Sequence, residues 1–150
     1  MRSVTQDEFR PMDIDNTPPM SMGTRSHELS MFVIYDQWMA YLCDSPTEYN
    51  KYPDVLDFLS KVPAVWDKTL PLQAKLSEYI VTAKQKGNDW YVGGMTNWDT
   101  RSTEVNLSFL KDNVSYQATI FKDAPNSYEQ PKEYMVEKRT VDNLSLIHIS

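Results

Sequence analysis

The residues of this chain that could carry chemistry are few, and its two histidines come first. His27 stands beside Glu28, and an imidazole next to a carboxylate could act as a general acid or base. A structural histidine, hydrogen-bonded within a helix and its neighbours, would fit the same pattern and is favoured. Arg25 could hold a carboxylate or a loop, and a structural pair is again favoured. His148 lies far along the sequence, so the two histidines lack the spacing of a metal site.

An acidic segment at residues 13–16 (DIDN) resembles the start of an EF-hand calcium loop. The remainder of that loop does not follow, because Pro18 stands where glycine is needed and Thr24 where the bidentate glutamate belongs. The segment therefore predicts a turn and not a calcium site. The one cysteine, Cys43, excludes an intramolecular disulfide and has no second thiol for a metal site.

Aromatic residues near position 90 could stack on sugar rings. Trp90 and Tyr91 fall within an apparent strand, where aromatic side chains usually fill a core. Trp98 follows that strand in a turn region, which makes it the better candidate for an exposed sugar contact. Trp98 is therefore the one residue predicted to touch ligand.

Composition narrows the classes of function. The 150 residues have a formal net charge of −6, and a negative surface repels phosphates, so nucleic acid is not an expected partner. No apolar stretch approaches the roughly 20 residues that a membrane helix needs. The first nine residues contain no apolar core of a signal peptide.

The first part of the chain has helical patterns. Thr24 can cap a helix that extends to Leu42, whose apolar residues on nearly every side predict burial. Ser45 can cap a short turn that begins at Pro46, and residues 53–59 have the spacing of a short amphipathic helix.

After Pro63 the pattern changes to strands separated by turn residues. The predicted strands cover residues 75–84, 90–96, 102–110 and 115–121, and a mixed stretch follows at 133–141. Short strands at regular spacing are typical of an antiparallel sandwich. The chain is thus predicted to divide near Pro63 into a helical piece and a β piece.

Four motifs resemble the C-terminal part of glycoside hydrolase family 97, a family of α-glucosidases and α-galactosidases from bacterial glycan degraders. They are PMSMGTRSHEL (19–29), FLSKVPAVWD (58–67), GNDWYVGGMTNW (87–98) and ATIFKDAPN (118–126). They occur in family order over nearly the whole chain, so the resemblance covers both predicted pieces.

The resemblance implies an α+β architecture in which the helical end of a (β/α)8 barrel precedes an antiparallel β-sandwich, incomplete at both ends. Residues 1–62 would be the end of the catalytic barrel and residues 63–143 the C-terminal β domain. Residues 144–150 (LSLIHIS) do not resemble the family and look like a translated sequencing adapter, with a chance apolar tail as the alternative.

The resemblance also implies a C-terminal fragment of an exo-acting, calcium-dependent enzyme that cleaves α-glucosidic or α-galactosidic bonds in oligosaccharides. In such enzymes one carboxylic acid protonates the leaving oxygen and a second carboxylate acts as base or nucleophile. No acidic residue of this chain matches those carboxylates or the calcium ligands. The expected catalytic, cofactor-binding and metal residues within it are therefore none, and the fragment is expected to be inactive alone.

A structural or oligomerisation role is expected for the β domain, with a further copy as partner. By resemblance, the enzyme would be periplasmic or extracellular. The alternative is an autonomous β module that binds carbohydrate or other proteins without catalysis. We also expect the isolated chain to aggregate or be partly molten, because an apolar helix and an open sheet edge would be exposed.

Overall fold

The computed structural model describes residues 2–4, 20–37, 39, 41–42 and 45–149, with side chains described from residue 23 to residue 148 of that set. Strand β1 (Arg2–Val4) pairs in parallel with β2 (Met20–Met22), and helix α1 (Arg25–Ile34) follows β2 directly. A parallel pair followed by a helix is the connection that barrel folds use. The predicted barrel end is consistent with this pattern and stays a prediction.

Helix α1 begins as expected and ends earlier than expected. The Thr24 Oγ1 accepts a hydrogen bond from the His27 N–H at 3.2 Å, which confirms the predicted cap. The predicted continuation to Leu42 is wrong, because Tyr35 is extended and the Ile34 carbonyl accepts a bond from the Lys84 ammonium. A continued helix would use that carbonyl within its own ladder.

The burial predicted for the whole segment is also limited to α1. Leu29 and Val33 are buried, whereas the apolar residues after the helix are exposed: Tyr35, Met39, Tyr41 and Leu42. The predicted turn at residues 13–16 lies outside the described residues, and so does Cys43.

Two short helices follow. In α2 (Pro46–Tyr49) the Ser45 Oγ accepts from the Glu48 N–H at 3.3 Å, which confirms the predicted cap and the proline at the first turn. Helix α3 (Pro53–Lys61) runs two residues beyond its predicted end and buries Val55. No helix within the described residues is both long and apolar enough to cross a bilayer.

The β piece consists of antiparallel pairs, as predicted. Strands β3 (Lys68–Lys75), β4 (Tyr79–Lys86) and β5 (Asp89–Thr96) form one sheet in that order. The remaining strands are β6 (Thr103–Asn106), β7 (Tyr116–Asp123), β8 (Tyr134–Val141) and β9 (Leu146–Ile149). Strand β6 pairs with β9, and β7 pairs with β8. Val81, Val105 and Val141 from the three sheets meet in one core.

Strand β3 is absent from the sequence prediction, which placed a single strand at 75–84. Instead, the chain turns between β3 and β4, where Ser77 has a φ of 64°. The register shifts between Pro71 and Gln73, so the proline lies at an irregularity of the sheet's edge strand. Proline lacks an N–H and is tolerated at such places, but in a sequence it argues against a strand.

The last two differences concern β6 and β9. Strand β6 is four residues long rather than nine, because the chain turns after Asn106 while Leu107 and Leu110 still enter the core. Within residues 144–150, β9 pairs with β6 in antiparallel register. This pairing does not test the predicted foreign origin of that segment, which stays a prediction.

Candidate functional site

The predicted sugar contact, Trp98, lies just beyond β5 and is 43% exposed. The adjacent Asn97 fixes this loop, because its N–H donates to the Glu78 carbonyl at 2.8 Å and its side-chain amide donates to the Ser77 carbonyl at 3.3 Å. Trp98 is therefore accessible on an anchored loop. Contact with a sugar stays a prediction.

Trp90 and Tyr91 pack within the protein, as predicted. The Trp90 ring lies 4.7 Å from the Phe109 ring, between centroids, at the main core. The Tyr91 ring meets Trp66 edge-on at 5.2 Å, and its hydroxyl donates to the Lys61 carbonyl at 2.9 Å. Burial raises the pKa of Tyr91. Both side chains therefore hold parts of the fold together: Trp90 packs against Phe109, and Tyr91 contacts Trp66 and Lys61.

A shallow cavity of about 480 Å³ opens beside Trp98's loop, at the end of the sheet where β3 turns into β4. Its walls are the turn and the adjoining strand ends, residues 74–80 and 95–97. Leu76 at the tip of the turn is 94% exposed. The one carboxylate on these walls, Glu78, is paired with Lys75 and Arg101. The cavity therefore lacks the two carboxylates that glycoside hydrolysis requires.

His27 and Glu28 are half-buried in the first turn of α1. Burial lowers the pKa of His27, although Asp123 opposes the shift. Burial raises the pKa of Glu28 to about 7, against the attraction of Arg25. Within the part of the chain that the structure describes, the Glu28 Oε1 is buried without a hydrogen-bond partner, and so are the Asp123 Oδ1 and the Ser26 Oγ.

Arg25 joins the helical piece to the β piece. Its backbone N–H donates to the Pro131 carbonyl at 2.9 Å, and its guanidinium lies 4.0 Å from the centre of the Tyr52 ring. The Tyr134 hydroxyl donates to both oxygens of Asp54, at 2.9 and 3.0 Å. Burial and this hydrogen bond raise the pKa of Tyr134 to about 12. The Arg25 side chain thus stacks on an aromatic ring, and its contact with a loop is made by its backbone.

Sequence reasoning missed Lys84, which is 1% exposed in the middle of β4. Its ammonium donates to the Ile34 carbonyl at 3.0 Å and to the Asp36 Oδ1 at 2.6 Å, and lies 5.5 Å from the centre of the Trp66 ring. The last turn of α1 carries no basic residue, so Lys84 supplies the positive charge that a helix C-terminus favours. A lysine directly after the run YIVTA (79–83) was the signal available in the sequence.

The possible metal ligands of the described residues are dispersed. Throughout the part of the chain that the structure describes, no three or more His, Cys, Asp or Glu side chains come together in a way that could hold an ion. The described residues therefore do not fit a calcium site.

Comparison with known proteins identifies the β piece. A family model described as "Glycosyl-hydrolase 97 C-terminal, oligomerisation" matches residues 65–150. The chain belongs to this family. The antiparallel sheets described above are thus those of a glycoside hydrolase family 97 C-terminal β domain.

Curated relatives extend the similarity upstream of that domain. The chain is 41% identical over 137 residues to a retaining α-galactosidase of Bacteroides thetaiotaomicron, covering 91% of this chain and 20% of the relative. It is 32% identical over 100 residues to a probable retaining α-galactosidase of Streptomyces bingchenggensis, covering 67% of this chain and 16% of the relative. The chain therefore spans a fifth or less of these relatives.

Solved structures agree on the fold. A glycoside hydrolase family 97 enzyme from Pseudoalteromonas sp. strain K8, solved in complex with panose and with acarbose, superposes with a TM-score of 0.81. The identity is 28%, and the match covers 85% of this chain and 20% of that enzyme. The comparison thus places this chain's fold within a much larger enzyme.

Proposed function

We propose that this chain is the C-terminal part of a bacterial, exo-acting, calcium-dependent glycosidase that cleaves α-linked oligosaccharides. α-Galactosidic bonds are the first choice and α-glucosidic bonds the second. The supporting observation is the 41% identity to a retaining α-galactosidase across 91% of this chain. A retaining mechanism is proposed on the same ground.

The helical piece supports a position at the end of a (β/α)8 barrel. Strands β1 and β2 are parallel, and α1 starts three residues after Met22, as in a strand-to-helix step of such a barrel. We propose that residues 1–62 complete the catalytic barrel and that residues 63–143 form the accessory β domain.

The chemistry itself is proposed to lie in the rest of the enzyme. The cavity at the β3–β4 turn offers only Glu78, which Lys75 and Arg101 neutralise. Retaining glycosidases need two carboxyl groups about 5 Å apart. We likewise assign the calcium ligands to the remainder of the enzyme, because the described residues contain no suitable cluster.

The decisive experiment compares two lengths of protein. A version that includes the sequence preceding this chain in its genome is expected to hydrolyse an aryl α-galactoside faster than an aryl α-glucoside. Its activity should fall with a calcium chelator and return with added calcium. The 150-residue chain should be inactive; an enzyme-like rate from it would overturn the proposal.

A second experiment tests where the enzyme is located in the cell. On the resemblance to the family alone, we propose a periplasmic or extracellular location for the enzyme. Fractionation of the native host, followed by detection with an antibody against this chain, should find the protein outside the cytoplasm. Recovery in the cytoplasmic fraction would contradict this part of the proposal.

For the β domain we propose a structural role in homo-oligomerisation, which its family description supports. The alternative is carbohydrate binding through Trp98, which is 43% exposed. Titration with maltooligosaccharides, followed by tryptophan fluorescence, separates the two roles. Saturable binding that is lost in Trp98→Ala would favour the alternative, and no saturable binding would exclude it.

A further inference from the structure

We infer that two copies of this chain associate through the end of the β3–β4–β5 sheet at the β3–β4 turn. We call this surface the turn patch and define it by four apolar residues: Leu76, Ile80, Met95 and Trp98. The inference rests on the proposed oligomerisation role of the β domain and names the surface that performs it.

The four residues of the turn patch lie at the same end of the sheet. Ile80 and Met95 are directly paired in the antiparallel register, so their side chains lie side by side on one face of the sheet. Leu76 and Trp98 lie in the connections at the same end, before β4 and after β5. Leu76, Ile80 and Trp98 are exposed apolar side chains and Met95 is half-buried. Exposed apolar side chains gathered at one end of a sheet are typical of an interaction site.

Leu76 is presented on a braced turn. Ser77 adopts a φ of 64°, and the Glu78 N–H donates to the Lys75 carbonyl at 2.9 Å. The Glu78 carbonyl then accepts bonds from the Asn97 N–H at 2.8 Å and the Thr96 hydroxyl at 3.3 Å. A leucine held in this way loses little conformational freedom when a partner covers it.

The turn patch offers both a protruding side chain and a recess. It has an exposed side chain, Leu76, and a cavity of about 480 Å³ bordered by the same turn and by Met95. In a two-fold dimer the same patch faces itself, so the protruding group of each copy can enter the recess of the other. One surface with both features therefore fits a second copy of this chain.

Charge around the turn patch is already neutralised. Lys75 pairs with Glu78 at 2.5 Å, and Arg101 pairs with Glu78 and Asp99 at 3.2 Å each. Interfaces commonly have an apolar centre and a polar rim. Association here would cover apolar groups without leaving an unpaired charge in the interface, which would be costly.

The test measures self-association of the longer protein, which includes the sequence preceding this chain in its genome, by sedimentation velocity over a wide range of protein concentration. Leu76→Glu is expected to raise the dimer dissociation constant by at least about 30-fold, because a charge would enter an apolar contact. The matched control is Leu144→Glu, which makes the same charge change at a leucine that is 83% exposed. Residue 144 lies near Asp112 and Lys111, by the β4–β5 turn at the other end of β4, and this variant should associate like the wild type.

Circular dichroism checks that each variant is folded, and Leu76→Ser serves as a milder variant with a smaller expected loss. If wild type and Leu144→Glu associate and Leu76→Glu does not, the inference is supported. If Leu76→Glu associates like the wild type, the turn patch is wrong although oligomerisation stands. A wild type that stays monomeric at every concentration overturns the oligomerisation role itself. Sugar binding at the turn patch, lost in Trp98→Ala with association unchanged, also overturns the inference.

Discussion

One face of strands β4 and β5 is divided between two environments. At the pairs Thr82–Gly93 and Lys84–Tyr91 the face is covered by α1 and its C-terminal extension. Two residues further along, at the pair Ile80–Met95, the same face reaches the exposed turn patch. We call the first area the helix-docking face. Alternate residues of a strand share a face, so the difference arises from what covers each area.

The two areas differ in what their residues do. The helix-docking face contains a buried cation, Lys84, and a glycine, Gly93, that lets the helix approach closely. The turn patch contains exposed apolar groups with paired charges around them. The first area is adapted to a partner within the chain, whereas the second has none among the described residues. Substitutions in the first should therefore change folding, and substitutions in the second should change association.

Gly93→Ala is expected to produce the largest effect. An added Cβ would lie 2.8 Å from the Ile34 Cγ1 and 3.1 Å from the Val33 Cβ. Relieving that overlap should reduce the free energy of unfolding by about 2–3 kcal/mol, measured by urea titration. In an Ile34→Ala background the same change should cost clearly less. Equal costs in the two backgrounds would show that α1 does not approach Gly93 as described.

Asp36→Ala should follow, with a loss of about 1–3 kcal/mol in the free energy of unfolding, because it removes a partner from a buried ammonium. Lys84→Met should cost less than Asp36→Ala. The Lys84 side chain is 1% exposed, whereas Asp36 is 77% exposed and can return to water when its partner is lost. The measurement is urea unfolding of both variants. A larger loss for Lys84→Met would mean that its charge does more than complete the end of α1.

Glu28→Gln gives a prediction for pH. Burial raises the pKa of Glu28 in the folded protein from 4.5 to about 7, so its contribution to stability is complete below about pH 4.5. That contribution is lost as the pH rises through about 7, and glutamine should escape the loss. The stability of Glu28→Gln relative to wild type should therefore rise across this range by up to about 3 kcal/mol, measured by unfolding at several pH values.

His27 provides the control for this titration. Burial lowers the pKa of His27, so its contribution is present above about pH 6.5 and is lost as the pH falls. His27→Gln should therefore gain on the wild type in the opposite direction, towards acid pH. If both variants shift relative to the wild type in the same direction with pH, at least one of the two groups does not titrate as its burial implies.

Leu76→Ala should have the smallest effect on folding. Its side chain is 94% exposed, so the free energy of unfolding of the monomer should change by less than about 0.5 kcal/mol. Val81→Ala is the matched comparison in the neighbouring strand, because Val81 is 2% exposed in the core. That change should cost roughly 2 kcal/mol. Similar losses for the two, at a concentration where the chain is monomeric, would place Leu76 inside the fold.

Local sequence signals predicted the elements whose stability is local. The Thr24 and Ser45 hydroxyl oxygens cap their helices by accepting a hydrogen bond from the N–H three residues later in the sequence. Sequence spacing alone sets this contact. The turn at Gly87, where φ is 58°, also follows from its residue type. The alternating strand predicted at 115–121 corresponds to β7 (Tyr116–Asp123), whereas the one predicted at 102–110 already ends at Asn106.

The misses occur where a distant contact decides the outcome. The apolar period predicted a helix to Leu42, but the Ile34 carbonyl binds Lys84, fifty positions away in sequence. Pro71 obscured β3, because no local rule reveals that its strand lies at an edge with a register shift. Trp98 was placed in an exposed loop correctly, whereas the cavity beside it required Leu76 and Met95 to come together.

The sequence by itself determined the antiparallel β domain, its family and the caps of helices α1 and α2. Each of these depends on residues close together in the chain or on motifs kept in order. Only the tertiary structure decided where α1 stops, which cation is buried and which part of the sheet remains uncovered. Those outcomes depend on how closely a helix can approach Gly93 and on whether Lys84 can find partners away from water. Such contacts join residues that no local pattern relates, and the free energy of burial is fixed only once they meet.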